Sequence, residues 1–196
     1  MNLPNKLTIF RIILVPLMVI IPFFGIKQEF LGIPIEYLII DIIFIIASIT
    51  DKLDGYLARK NNQVTTFGKF LDPLADKILV LAAMVMLVEM GKLPAWIPII
   101  VLAREFLVSG YRLIAVEKAG KVIAASKWGK LKTVTQILAI ILAFVDLHKF
   151  GECFSGVLQG GDLILNFIVT ILMIVQVIAT IFSGLDYMKG AKELMK

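Results

Sequence analysis

Apolar residues run along this chain in blocks close to twenty residues long, separated by short polar joints. About 20 residues rising 1.5 Å each cover the roughly 30 Å of hydrocarbon in a bilayer, so blocks of this length read as membrane-spanning helices. Six are predicted, over about residues 7–24, 36–58, 67–90, 96–116, 128–147 and 163–187. The joints are short, and sequential neighbours are expected to pack antiparallel. No soluble second domain and no internal repeat breaks the pattern, so residues 1–196 read as a single all-α polytopic membrane domain.

The polar positions inside these blocks carry the chemistry. Asp51 and Asp54 are three apart and share a helix face, with Ala58 one turn further on; Gly68, Asp72 and Asp76 recur every four residues and form a second stripe. The segment between them, KNNQVTT over residues 60–66, is polar and aperiodic and reads as an exposed turn. An aspartate near the centre of a membrane helix costs about 2.5–3.5 kcal/mol, so four of them require partners or water. Like charges held close together repel unless cations lie between them. Carboxylate oxygens suit Mg²⁺, Mn²⁺ or Ca²⁺. Zinc is a poor fit, because His148 and Cys153, the single His and Cys, lie far away in sequence. The alternatives are salt bridging alone or the ion pathway of a coupled transporter. Transporters favour midplane charges and paired halves, which this chain lacks.

Composition agrees with a membrane protein: 59% of residues are hydrophobic and the mean hydropathy is +0.93. One cysteine excludes an internal disulfide. The net charge of +5 is a topology signal, since all Lys and Arg except Lys27, Lys92 and Lys149 fall on one side when the N-terminus is placed in the cytoplasm. Both termini and the acidic hairpin are then cytoplasmic. Nothing in the pattern suggests nucleic acid. The first apolar run exceeds signal-peptide length, contains Pro16 and lacks a small-x-small cleavage site, so it is expected to be retained. The absence of a transit-peptide pattern fits a bacterial protein.

Further polar positions are weaker signals. Asn5, Thr8 and Arg11 recur every three residues near the start, Asp41 reads as hydrogen-bonded between helices, and Pro73 is expected to bend the third span beside Asp72. Arg104, Glu105 and Arg112 interrupt the fourth span, and Lys118, Lys121, Lys127, Lys130 and Lys132 follow it. Arg104 and Arg112 could converge with Lys130 and Lys132 on a phosphate. The last two spans are nearly featureless, and His148 lies at an outer end.

Asp51, Asp54, Gly55, Ala58, Arg59, Gly68, Asp72 and Asp76 together spell D-x-x-D-G-x-x-A-R, eight residues, then G-x-x-x-D-x-x-x-D. This signature resembles that of the CDP-alcohol phosphotransferase family of integral membrane enzymes. The runs NLPNKLTIFRIILVP and AASKWGKLKT are similar to segments of its phosphatidylglycerophosphate synthase branch. The resemblance implies CDP-diacylglycerol as donor, sn-glycerol 3-phosphate as acceptor, and phosphatidylglycerophosphate and CMP as products. It implies Mg²⁺ or Mn²⁺, as two ions, held by Asp51, Asp54, Asp72 and Asp76, with Asp76 also the general base. Arg59 would assist at the pyrophosphate, and Asn5, Thr8, Asp54, Gly55, Ala58, Arg59 and Gly68 would bind the donor. Arg104, Arg112, Lys130 and Lys132 would hold the acceptor phosphate. It also implies a homodimer among the lipids of a bacterial plasma membrane. Within the same family, a cardiolipin synthase or a synthase using inositol phosphate or serine is the alternative.

Overall fold

A computed structural model describes residues 3–60, 66–119 and 126–194, with side chains over 6–51, 71, 73–112, 115 and 126–188. One α-helix accompanies each predicted span: α1 (Leu3–Ile20), α2 (Ile35–Lys60), α3 (Thr66–Glu89), α4 (Trp96–Ala119), α5 (Lys127–Val145) and α6 (Gly160–Leu194). Three of them, α1, α5 and α6, contain stretches long and apolar enough to cross a membrane. Among the described residues, α2, α3 and α4 fall short of that measure because ionisable side chains interrupt their apolar runs. Six membrane crossings were expected; length and composition support three. The fold is all-α and membrane-embedded in character.

The α1–α2 connection holds structure that the sequence did not suggest. A 3-10 turn over Ile21–Phe24 closes on Gly25 at φ 60°. A two-residue-per-strand hairpin follows, β1 (Glu29–Phe30) with β2 (Ile33–Pro34), antiparallel. Its turn residues, Leu31 and Gly32, have φ of 53° and 78°, the positive pair that matches the twist of a tight hairpin.

The chain divides into two compact units. The first comprises Met1–Lys92 and Ile140–Leu147, the second Leu93–Ala139 and His148–Lys196. In the first, α1 packs on α2 and on α3, and α2 and α3 also touch. Met18, Ile40, Phe44, Leu79, Met84 and Leu87 fill its interior, with Ile140 and Phe144 from the end of α5. The faces of α1 are inverted relative to a soluble helix. Its buried positions include Thr8 and Arg11 beside Leu14, Val15 and Met18, whereas Phe10, Ile13, Leu17 and Ile20 are exposed. Apolar side chains lose nothing by facing lipid, and polar ones must find partners inside.

In the second unit α4 packs on α6. Ser126 caps α5, its Oγ accepting from the Gly129 amide at 3.1 Å and satisfying one of the amides that a helix start leaves over. The segment before α6 is tied down by α6 itself: the Cys153 amide donates to Asn166 Oδ1 at 2.8 Å, Asn166 Nδ2 to the Lys149 carbonyl at 3.0 Å, and the Gly151 amide to Thr170 Oγ1 at 3.1 Å. Far from featureless, α6 buries a stripe of Asn166, Thr170, Gln176, Thr180 and Ser183. The helix also continues to Leu194, past the expected end of the sixth span near residue 187.

Candidate active site

Asp51 lies near the C-terminal end of α2, where its Oδ1 forms an ion pair with Arg11 Nη1 at 2.9 Å, although Nη1 makes no hydrogen bond among the described residues. The pair is lopsided. The Arg11 side chain is completely buried, while 37% of the Asp51 side-chain surface remains open. Asp76 is half-buried on α3, and Thr8 is buried one turn before Arg11 on α1.

Both α2 and α3 are continuous over the motif positions, so the three- and four-residue spacings of the carboxylates are realised on helical backbone. The helix α3 runs through Pro73, which lacks the amide that would bond one turn back. The side chains of Asn5, Asp54, Gly55, Ala58, Arg59, Gly68 and Asp72 lie outside the described residues, as does the link between the two helices. Among the described residues, no three His, Cys, Asp or Glu side chains gather as a metal site. The described donors nonetheless fit a hard divalent ion. Asp51 and Asp76 are half-buried carboxylates on helices that pack together, and carboxylate oxygens are the donors that Mg²⁺ and Mn²⁺ prefer.

The basic residues of the second unit form a network of their own. Glu105 Oε1 on α4 accepts from Arg104 Nη1 at 2.8 Å and from Lys132 Nζ of α5 at 2.7 Å. Arg104 Nη2 donates to Ser183 Oγ on α6. The guanidinium passes close to Gly129: a Cβ there would stand 3.3 Å from Arg104 Nη2, a tight contact. Gly129 carries no chemistry that the sequence could advertise, yet side chains of Arg104 and Ser183 lie against it. Arg112 is exposed, donates to the Tyr187 hydroxyl at 2.6 Å and sits 5.3 Å from the centre of that ring. Lys130 is exposed as well. The four cations expected to meet an acceptor phosphate therefore differ: Arg104 and Lys132 are packed against one carboxylate, while Arg112 and Lys130 face outward.

A second charged cluster in the first unit went unforeseen. Lys92 is buried in the turn after α3, and its Nζ donates to the carbonyls of Ala143 and Phe144 at 3.2 and 3.0 Å, near the end of α5. It also lies 4.3 Å from the centre of the Tyr37 ring. Burial pulls its pKa from 10.5 to about 8, opposed by the negative charges of Asp146 and Asp41. Asp41 is buried with Oδ1 lacking a hydrogen-bond partner among the described residues. Its expected hydrogen bonding is incomplete; the neighbouring ammonium charge compensates it.

Comparison with known proteins agrees with the motif. The family model for CDP-alcohol phosphatidyltransferase matches residues 1–182. The CDP-diacylglycerol–glycerol-3-phosphate 3-phosphatidyltransferase of Bacillus subtilis is 45% identical, over 82% of this chain and 92% of that protein. Proteins of the same name from Haemophilus influenzae and Rickettsia typhi are 40% and 37% identical, each over 97% of this chain and over 94% and 97% of their own lengths. A model match over nearly the whole length, with relatives this similar, places the chain in the CDP-alcohol phosphatidyltransferase family.

Proposed function

We propose that this protein transfers the phosphatidyl group of CDP-diacylglycerol to sn-glycerol 3-phosphate, forming phosphatidylglycerophosphate and CMP. The observation that carries this reading is the likeness, along nearly the full length of both chains, to proteins named for that transfer. The motif carboxylates and the separate basic cluster supply the two kinds of group the transfer requires.

The acceptor hydroxyl oxygen bonds to the phosphorus that carries diacylglycerol, and the bond from that phosphorus to the CMP oxygen breaks. Asp76 takes the hydroxyl proton, a role for which its partial burial on α3 is suitable. Asp51, Asp54, Asp72 and Asp76 would hold Mg²⁺ or Mn²⁺. Bound there, two such ions would neutralise the pyrophosphate and stabilise attacking and leaving oxygens. Arg59 stands by the pyrophosphate. Gly55, Ala58 and Gly68 leave room for the donor to approach the backbone, and Asn5 and Thr8 border the nucleotide. Arg112 and Lys130 receive the acceptor phosphate directly, and Arg104 and Lys132, sharing Glu105, keep that region positive.

The distribution of lysine and arginine supports a cytoplasmic acidic hairpin with both termini on the same side, and the bacterial relatives support the plasma membrane. The working form is a homodimer embedded in membrane lipid; chemical cross-linking in native membranes should yield a band at twice 21.8 kDa. The activity is tested with purified protein, CDP-diacylglycerol, Mg²⁺ or Mn²⁺, and each acceptor in turn. CMP release that requires glycerol 3-phosphate supports the reading. Release with phosphatidylglycerol instead would reassign the protein as a cardiolipin synthase.

A further inference from the structure

The geometry points to the hairpin between α1 and α2 as a membrane-surface anchor. Its tip, Phe30 and Leu31, lies together with Phe23 and Phe24 in the boundary between headgroups and acyl chains, in the leaflet that the C-terminal end of α1 enters. The occupant of this surface is lipid, not a second protein.

Leu31 and Phe23 are the most exposed large apolar side chains among the described residues, at 86% and 85%, and Phe24 and Phe30 are exposed as well. Exposed apolar side chains grouped along one short segment mark an interaction surface. This one continues a surface that already faces lipid. Phe23 and Phe24 close the apolar stretch Lys6–Phe24, whose helical part exposes Phe10, Ile13, Leu17 and Ile20.

The hairpin itself is two-sided. Cross-strand partners share a face and successive residues alternate, so Phe30 and Ile33 lie on one face and Glu29 and Pro34 on the other. Lys27, Gln28 and Glu29 lead into it and are exposed. Polar groups on one side and apolar ones on the other suit the edge of a bilayer, where both can be satisfied. Leu31 would carry two penalties in water. Its φ of 53° makes it the one residue besides glycine with positive φ among the described residues, in a turn position that Asn or Gly takes more readily. Its side chain is also almost fully open. Asn would remove both penalties from an aqueous turn, whereas contact with lipid removes the second while keeping leucine.

The backbone limits the depth. The Ile35 amide donates to the Gln28 carbonyl at 2.9 Å and closes the base of the hairpin, but a two-stranded ribbon has outward amides and carbonyls that hydrocarbon does not satisfy. The tip therefore sits at the boundary, with the base among headgroups and water.

The test is the depth of single spin labels on the full chain in lipid nanodiscs, with Cys153→Ala so that each variant carries one label. Oxygen concentrates among acyl chains, and a polar nickel chelate stays in water. A label at Leu31→Cys is expected to be relaxed more by oxygen than by nickel, and one at Gln28→Cys more by nickel than by oxygen. Phe30→Cys carries the same expectation as Leu31→Cys and replaces it should that variant fail to fold. Nickel relaxation exceeding oxygen relaxation at 30 and 31 places the tip in water and overturns the proposal. A label at 31 that is immobilised and shielded from both agents overturns it as well, since protein would then cover the tip. Oxygen-dominated relaxation at all three positions would put the base in hydrocarbon and overturn the assigned depth.

Discussion

Asp51 and Glu105 are both carboxylates on helices of a membrane protein, and their surroundings differ. Glu105 receives Arg104 and Lys132 on a single oxygen, and only 18% of its side chain is exposed. Asp51 is ion-paired with Arg11 and keeps 37% of its side-chain surface open. The first arrangement surrounds a carboxylate with basic groups; the second pairs a carboxylate and leaves part of its surface exposed. Charge in an apolar chain thus has two uses, and accessibility after pairing separates them better than the presence of a charge does.

The largest effect that would sharpen this contrast is expected from Asp76→Asn on the accessible side. Loss of a general base is expected to lower kcat by about 10²–10⁴-fold. Donor binding and Mn²⁺ binding should persist, as measured by equilibrium titration; loss of both in parallel would make Asp76 an ordinary ligand.

Glu105→Gln addresses the enclosed side, where two largely buried cations would be left without their carboxylate. Removing one partner of a buried pair costs about 3–5 kcal/mol, which for a chain of this size corresponds to a fall of about 10 °C in melting temperature. A variant that melts with wild type would show that Glu105 is dispensable to the network and erase the contrast.

Arg112→Gln is expected to act on substrate instead of on the fold, because Arg112 is exposed and bonded to one tyrosine hydroxyl. Loss of a charge-assisted hydrogen bond should raise KM for glycerol 3-phosphate about ten-fold or more. The KM for CDP-diacylglycerol should stay within about two-fold on the same reasoning. Equal rises for both substrates would argue against a dedicated acceptor-phosphate site.

A smaller effect is expected at Lys92, as a dependence on pH. Its pKa in the fold is about 8 against an ordinary 10.5, so between those values the unfolded chain binds more protons than the folded one. Stability contributed at this position therefore rises with pH across that window. The melting temperature of wild type relative to Lys92→Met should increase between pH 7.5 and pH 9.5 by a few degrees. A constant difference would mean that the ammonium is not penalised by its burial.

The positions of the six helices were legible because apolar run length is a property of the sequence alone, and the motif could be read from spacing once helices were assumed. How many helices cross the membrane was less legible, because the ionisable residues that mark the motif also interrupt the runs that mark a span. Arg11 belonged to a recognisable polar strip, but its partner lies 40 residues away on another helix, and local periodicity does not encode such pairing. Lys92 read as one of three basic residues outside the charge bias that orients the chain; only tertiary packing brings it to the carbonyls of Ala143 and Phe144. Gly129 was invisible for the opposite reason, since its contribution is the absence of a side chain.

The most direct test of the central claim is incorporation of radiolabelled glycerol 3-phosphate into chloroform-soluble product by purified protein supplied with CDP-diacylglycerol, with and without Mn²⁺. The account predicts one labelled lipid per CMP released, dependence on the divalent ion, and no incorporation by Asp76→Asn. Incorporation that persists in a chelator, or in that variant at the wild-type rate, would contradict it.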